Sequence, residues 1–177
     1  MTKITTPILI IGAGPSGAAT SIFLCKMGIK HMIVDAAIFP RDKICGDGLD
    51  LNVIRMLNHI DPSLIENEIL TGKNSFTASQ GFRFILPSGR KVDIMRKANG
   101  EDTKSKPMFF VSKRIDFDNL LLSKIDRNIA DLRLNTRIET ITREGDHWKI
   151  EGRGPEGEIE IDAGFLIGAD GDHSLVL

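Results

Sequence analysis

The sequence has few cysteines, no strong excess of charge and no long apolar run. Its 177 residues include two cysteines, Cys25 and Cys45, too few to suggest a disulfide framework or a metal site. The formal net charge of −1 gives no electrostatic reason to expect a nucleic acid or an anionic membrane surface as partner. No apolar stretch approaches the roughly 20 residues that span a bilayer, and residues 1–7 are too short for a signal peptide. We therefore expect a cytoplasmic enzyme without an integral membrane segment.

Residues 8–35 carry the most informative pattern of the chain. The branched aliphatic residues 8–11 predict a strand, an apolar-periodic stretch ending at Gly28 predicts a helix, and residues 31–34 predict a second strand closed by Asp35. Between the first strand and the helix lies the glycine-rich segment Gly12-Ala13-Gly14-Pro15-Ser16-Gly17. Strand, glycine-rich turn, helix, strand and terminal acid in this order are typical of a nucleotide-binding βαβ unit.

Each part of this unit has a physical role. Gly12 allows a tight turn, Gly14 lets the backbone approach a pyrophosphate, and Gly17 lets the helix lie close to the strands. The helix N-terminus offers N–H groups and the positive end of its dipole, while the Asp35 carboxylate can accept hydrogen bonds from both hydroxyls of an adenosine ribose. The interpretations of the segment as an ordinary loop and of the acid as a strand-end cap remain open. The predicted cofactor contacts here are Gly12, Gly14, Pro15, Ser16, Gly17, Asp35 and Ala36.

The remaining pattern predicts a mixed α/β fold. Strands are predicted at 7–11, 31–35, 75–79, 81–86, 91–95, 108–111, 133–135, 138–143, 147–152, 157–162 and 165–167. Helices are predicted at 15–27, 50–60 and 115–128, an irregular segment at 36–49, and a polar surface loop at 96–107. The three strands between 138 and 162 are joined by short turns and predict a β-meander. The last strand leads into Gly168-Ala169-Asp170-Gly171.

Three further segments give the chain a family resemblance. Residues 40–49, Pro-Arg-Asp-Lys-Ile-Cys-Gly-Asp-Gly-Leu, resemble the signature of the geranylgeranyl reductase family of flavoproteins. Arg114 with Phe117, Asp118 and Leu121 is similar to a helix start of that family and its relatives. Residues 168–174 resemble the Asp-Gly motif that geranylgeranyl reductases share with para-hydroxybenzoate hydroxylase-type monooxygenases and flavin-dependent halogenases.

The resemblance implies FAD as the cofactor, with NAD(P)H as a candidate electron donor. It implies an FAD-binding Rossmann-like three-layer α/β domain with a β-meander, together with the start of a substrate-domain sheet. The corresponding division is 1–79 for the first part of the FAD-binding domain, 80–107 for an incomplete part of the substrate domain, and 108–177 for the second part of the FAD-binding domain.

The resemblance also assigns site residues beyond the glycine-rich segment. It places Arg114 at the pyrophosphate or ribityl region, Asp170 and Gly171 on the ribityl-pyrophosphate side, and Cys45 with Gly46 near the isoalloxazine. A thiol there would tune the flavin or deliver a proton, and Cys45 is the candidate catalytic residue. Arg41 is a candidate partner of the cofactor phosphate. Simpler alternatives stay open, since Arg41 and Arg114 can be solvated cations, Asp170-Gly171 can be an ordinary turn, and a loop cysteine can be inert.

Two classes of function follow. The first is an FAD-dependent oxidoreductase that reduces prenyl-chain double bonds of a hydrophobic small molecule, either in the cytoplasm or at the periphery of a membrane. The alternative within this class is an FAD-dependent aromatic monooxygenase or halogenase. The second class is a truncated, non-catalytic nucleotide-binding fragment, which we would expect to hold flavin poorly. No metal site and no nucleic-acid partner are expected in either class.

Overall fold

A computed structural model of the chain describes residues 1–45, 47–71, 76–95, 107–172 and 174–176. The described strands are β1 (Thr2–Ile11), β2 (His31–Val34), β3 (Gly48–Leu49), β4 (Thr77–Ser79), β5 (Gly81–Ile85), β6 (Lys91–Met95), β7 (Phe109–Val111), β8 (Ala130–Arg133), β9 (Arg137–Glu144), β10 (His147–Gly154) and β11 (Gly157–Gly168). The described helices are α1 (Pro15–Lys26), α2 (Leu51–Ile60) and α3 (Arg114–Ser123), with a π-helical turn at Ile65–Ile69. The chain divides into a first unit, Met1–Arg41 with Phe117–Leu177, and a second unit, Asp42–Asp116.

The first unit is organised around a six-stranded sheet with the order β8-β2-β1-β11-β10-β9. Neighbours among β8, β2, β1 and β11 are parallel, whereas β10 pairs antiparallel with both β11 and β9. The parallel strands β1 and β2 with α1 between them form the predicted βαβ unit. Strands β9, β10 and the first part of β11 form the predicted meander.

The strand β11 is longer than the sequence pattern indicates. Separate strands were predicted at 157–162 and 165–167, but one continuous strand runs through both, so the predicted break is wrong. The physical reason is pairing on both edges: Ala163 lies opposite Trp148 of β10 and Thr6 of β1. The same pairing extends β1 back to Thr2, beyond the predicted start at residue 7.

The core of the first unit shows why the fold is layered. Side chains alternate along a strand, so β1 and β2 present different residues on their two faces. One face packs against the meander in a single buried cluster, which consists of Leu9, Ile11, Met32, Val34, Ile138, Ile150, Ile159, Ile161 and Ala163. The other face of β1 and β2 carries the buried residues Ile10 and Ile33, and α1 contacts both strands. Meander, parallel strands and helix together confirm the predicted α/β architecture.

Two predicted elements of this unit have different bounds. The helix predicted at 115–128 ends at Ser123, because the following residues turn instead: the Asp126 carboxylate accepts the Asn128 N–H at 2.9 Å, and the Asp126 carbonyl accepts the Ala130 N–H at 2.9 Å. The strand predicted at 133–135 lies at Ala130–Arg133. Asn135 cannot continue it, since its φ of 53° is in the left-handed region.

The second unit contains α2, a three-stranded sheet with the order β3-β7-β4, and the hairpin β5–β6. Asp50 caps α2 by accepting the backbone N–H groups of Asn52 and Val53 at 2.9 and 3.0 Å. The hairpin forms where the sequence predicts it, with Arg83 donating two hydrogen bonds to Asp93 across the strands.

Some predictions for this unit are not addressed by the structure. Ser75, which opens a predicted strand, and all but the last residue of the predicted loop 96–107 lie outside the described residues. The division at residues 79/80 and 107/108, and the assignment of the hairpin to a substrate domain, stay predictions.

Candidate functional site

The glycine-rich loop lies between the end of β1 and the start of α1. Gly12 has a φ of 102°, and its N–H donates to the Val34 carbonyl at 2.8 Å. A Cβ at Gly12 would overlap the backbone of Ala169, and a Cβ at Gly17 would overlap the Gly12 carbonyl. Glycine is therefore required at both positions by the close approach of backbone to backbone.

The N-terminus of α1 has the features of an anion site. Gly14 is the N-cap residue and Pro15 the first helical residue, and no side chain within the described parts of the chain caps this end. The first turn carries no acidic residue. Ala18 donates its N–H to the Gly14 carbonyl at 2.9 Å. The first N–H groups of a helix, here including that of Ser16, have no acceptor within the helix and can donate to an anion.

Asp35 follows β2 and braces the glycine-rich loop. Its Oδ2 accepts the Ala13 N–H at 2.7 Å, and its Oδ1 accepts the Ala37 N–H at 2.8 Å. Each carboxylate oxygen has a second lone pair, so these bonds leave acceptor capacity for ribose hydroxyls. The predicted ribose contact stays a prediction. The bracing role was missed, because nothing in the sequence pairs residue 35 with residue 13.

Arg41 lies beside the same loop and is held in place by two groups of its own unit. Its Nη1 donates to Asp118 Oδ2 at 3.0 Å, and its guanidinium lies 4.8 Å from the centre of the Phe39 ring. Its Nη2 lies 3.5 Å from the position that a Cβ on Gly14 would occupy. Sequence reasoning found Arg41 but missed Asp118 as its partner, although both residues stand in segments that the family resemblance identifies.

Asp170 and Gly171 form a turn directly after β11. The Asp170 Oδ1 accepts the Ser174 hydroxyl and its Oδ2 accepts the Leu175 N–H, both at 2.7 Å. Gly171 has a φ of 93°, which favours glycine. The preceding residue, Ala169, donates its N–H to the Ile11 carbonyl at 2.8 Å and so ties this turn to the end of β1.

A cleft of about 170 Å³ lies at the carboxyl ends of the parallel strands, where the Gly12 turn, the end of β2 and the Asp170 turn meet. Its lining residues are Ile11, Gly12, Val34, Asp35, Ala36, Thr136, Arg137, Ile138, Asp170 and Leu175. Four predicted residues from three segments of the chain, namely Gly12, Asp35 with Ala36, and Asp170, thus line one cleft. Ligands of open parallel sheets bind in this position.

The other predicted residues belong to a different part of the chain. Cys45 is exposed and lies in the second unit, as does Arg114, the first residue of α3. Gly46 is outside the described residues. The predicted flavin contacts of these three residues therefore stay predictions.

The second unit has a cavity of its own, of about 550 Å³. Its apolar lining consists of Leu51, Phe82, Met108 and Phe109, and its polar lining of Gly48, Asp50, Asn52 and Arg55. The Arg55 guanidinium donates to Asn52 Oδ1 at 3.4 Å. An apolar wall with the Arg55 cation and the Asp50 carboxylate beside it suits an amphipathic ligand that carries a polar group.

Two further observations concern metals and membranes. The described part of the chain brings together no group of three or more His, Cys, Asp or Glu side chains that could bind a metal ion. None of the described helices combines the length and the apolar character that crossing a bilayer requires.

Comparisons with known proteins agree with the geometry of the cleft. The profile of a family described as FAD binding domain matches residues 5–177. Conditioned medium factor receptor 1 of Dictyostelium discoideum is 28% identical over 176 residues, covering 94% of this chain and 33% of that protein. Digeranylgeranylglycerophospholipid reductase of Methanosarcina acetivorans is 26% identical over 171 residues, covering 96% of this chain and 38% of that protein. A halogenase and a hydroxylase are also among the similar proteins.

The solved structures show the same fold. A geranylgeranyl bacteriochlorophyll reductase-like protein from Thermoplasma acidophilum matches with a TM-score of 0.75 at 22% identity, covering 96% of this chain and 40% of that chain. The chain spans between 33% and 38% of the length of the two curated relatives described above.

Proposed function

Because this chain belongs to the FAD binding domain family, we propose that it is the cofactor-binding part of an oxidoreductase that reduces carbon–carbon double bonds of prenyl chains. The observation that carries the cofactor assignment is the cleft lined by Gly12, Asp35 and Asp170. The reductase assignment is supported by the resemblance of residues 40–49 to geranylgeranyl reductases and by the similarity to the digeranylgeranylglycerophospholipid reductase.

The residues of the first unit fit the groups of FAD. The orphan N–H groups of α1, with Pro15, Ser16 and the Arg41 guanidinium beside Gly14, would receive the diphosphate. The spare lone pairs of Asp35 would accept the ribose hydroxyls. Asp170 and Gly171 would hold the ribityl side of the cofactor. When bound, FAD supplies hydride transfer to carbon, while the protein supplies binding, orientation and the electrostatic environment.

The cavity of the second unit supports a hydrophobic substrate with a polar end. A prenyl chain would lie against Phe82, Met108 and Phe109, and Arg55 would bind a polar or anionic group at the end of that chain. The electron donor would be a reduced nicotinamide such as NAD(P)H.

The proposal is tested with purified protein, FAD and a geranylgeranyl lipid under argon, using NADPH or dithionite as the reductant. We expect the lipid to gain two hydrogen atoms for each double bond reduced, which mass spectrometry measures. The control is the Asp35→Ala variant, which should hold FAD weakly and therefore leave the lipid unchanged. An unchanged lipid despite bound and reduced FAD would contradict the prenyl reductase assignment without contradicting FAD binding.

A monooxygenase or halogenase is the second candidate, and the similarity to a tryptophan 2-halogenase and an aromatic hydroxylase favours it. Oxygen separates the two candidates. Reduction of a prenyl chain proceeds under argon, whereas hydroxylation or halogenation of an aromatic substrate needs air. Product formation that depends on oxygen would therefore replace the first candidate by the second.

A further inference from the structure

A buried carboxylate of the first unit has no place in the cofactor contacts described above. Asp118 lies on α3, and its side chain is fully buried at 0% exposure. An ionised carboxylate in such a position is costly unless it is paired and hydrogen-bonded. Asp118 meets this requirement through its ion pair with Arg41 at 3.0 Å.

The pair fixes the direction of the guanidinium. Arg41 carries its N–H groups in one rigid plane, and a bond at Nη1 therefore sets where Nη2 points. Nη1 bonds to Asp118, while Nη2 lies on the side of Gly14. The Phe39 ring at 4.8 Å supports the guanidinium as a cation–π partner. Arg41, with its side chain 19% exposed, is thus held at the helix end where a phosphate would bind.

We propose that Asp118 is a positioning residue, which holds Arg41 beside the N-terminus of α1 so that its Nη2 binds the diphosphate of the cofactor. The inference rests on the FAD contacts proposed for this unit. Holding a long side chain in its bound conformation lowers the entropy lost on binding, and that gain is specific to a ligand that carries phosphate. Asp118 itself touches no ligand in this proposal.

The test measures the binding of two ligands, ADP and adenosine, by isothermal titration calorimetry, first to the unsubstituted chain and then to its variants. ADP carries the diphosphate and adenosine does not, so the ratio of their dissociation constants isolates the contribution of the phosphate site. In Asp118→Asn, which conserves the side-chain shape, we expect ADP affinity to fall by about tenfold and adenosine affinity to stay unchanged. The matched control is Asp131→Asn, since Asp131 forms an exposed ion pair with Arg133 in the same unit.

A double-mutant cycle separates positioning from folding. If Asp118 acts through Arg41, Asp118→Asn should not change the ADP-to-adenosine ratio further in an Arg41→Met background. Arg41→Met leaves a buried carboxylate without its cation, so the variant Arg41→Met with Asp118→Leu is measured as well. This variant should fold and should bind ADP no better than Arg41→Met does.

Three other outcomes would contradict the proposed role of Asp118 or the cofactor contacts on which it rests. Unchanged or tighter ADP binding by Asp118→Asn would show that the carboxylate does not position Arg41, because removing its negative charge alone would favour an anion. A parallel loss of ADP and adenosine affinity would assign Asp118 a purely structural role. Failure of the unsubstituted chain to bind ADP would overturn the proposed cofactor contacts, and this inference with them.

Discussion

The two units differ in how their chemistry-bearing parts are held. In the first unit, carboxylates brace the loops that follow the strands: Asp35 holds Ala13, and Asp170 holds Leu175. In the second unit, the hairpin places apolar side chains at its surface, with Phe84 51% exposed and Ile85 66% exposed. The loops of the first unit are therefore held by contacts within that unit, whereas the hairpin carries apolar side chains that the described residues of the second unit leave exposed.

The two units should differ most in how much stability is lost when an apolar side chain is shortened. Leu9 of β1 is 0% exposed within the buried cluster, so Leu9→Ala should lower the free energy of unfolding by about 4 kcal/mol. Phe84→Ala on the hairpin should cost about 1 kcal/mol or less, because it loses mainly a T-shaped contact with Phe82. Urea unfolding followed by circular dichroism measures both. Equal losses would show that the hairpin face is buried in solution.

A second pair of variants compares the two units at glycines with positive φ. Gly12→Ala combines a φ of 102° with overlap of the Ala169 backbone, and should cost about 3 kcal/mol of stability. Gly89→Ala in the hairpin turn has a φ of 79°, but apart from the two neighbouring residues no described atom lies within 4 Å of the new Cβ, so it should cost about 1 kcal/mol. Thermal unfolding checks the difference, and a Gly12→Ala variant as stable as Gly89→Ala would contradict it.

The third prediction concerns binding in the first unit. Asp35→Ala removes the carboxylate that accepts the Ala13 N–H of the glycine-rich loop and that would accept the ribose hydroxyls in the proposed site, so FAD affinity should fall by about 3 kcal/mol, or roughly a hundredfold. Fluorescence quenching of FAD measures the dissociation constant, with Asp131→Ala as the control for an exposed carboxylate of the same unit. FAD affinity equal to that of the parent chain would remove Asp35 from the cofactor site.

How well the sequence predicted each part depends on the distance between the partners. The βαβ unit was predicted because its signal lies within 28 consecutive residues and each strand, turn and helix has a local pattern. The continuity of β11 was not predicted, because the strand is maintained by pairing with β1 and β10 on its two edges. The pairing of Arg41 with Asp118 was missed for a similar reason, because 77 positions of sequence separate the two residues.

The fourth prediction compares the two cysteines, one in each unit. Cys45→Ala should leave FAD bound but lower turnover of a prenyl substrate by at least about tenfold if its thiol takes part in proton transfer. Cys25→Ala is the matched control, because its thiol lies on α1 and donates to the Asp126 carbonyl at 3.6 Å. Steady-state kinetics with a prenyl lipid measures both variants. Equal turnover of the Cys45→Ala variant and the parent would make Cys45 an inert loop residue, and loss of FAD would show that it organises the loop.

The smallest expected difference concerns surface ion pairs. In the first unit, a hydrogen bond from Lys3, together with the charge of Lys149, lowers the pKa of Glu160 below its ordinary value. In the second unit, the hydrogen bond from Arg83 lowers the pKa of Asp93 in the same way. A carboxylate whose pKa is lower in the folded state stabilises the fold above its unfolded pKa, and this contribution is lost as the pH falls through the folded value.

We therefore expect Glu160→Gln and Asp93→Asn to be slightly less stable than the parent at pH 7 and equal to it once the pH lies below the lowered pKa values. The loss should be larger for Glu160, because its side chain is 16% exposed whereas that of Asp93 is 48% exposed, and water screens the more exposed pair. Urea titrations at both pH values, repeated at high salt, measure the effect. A stability difference that persists at low pH would show that packing of these side chains, and not their charge, separates the variants from the parent.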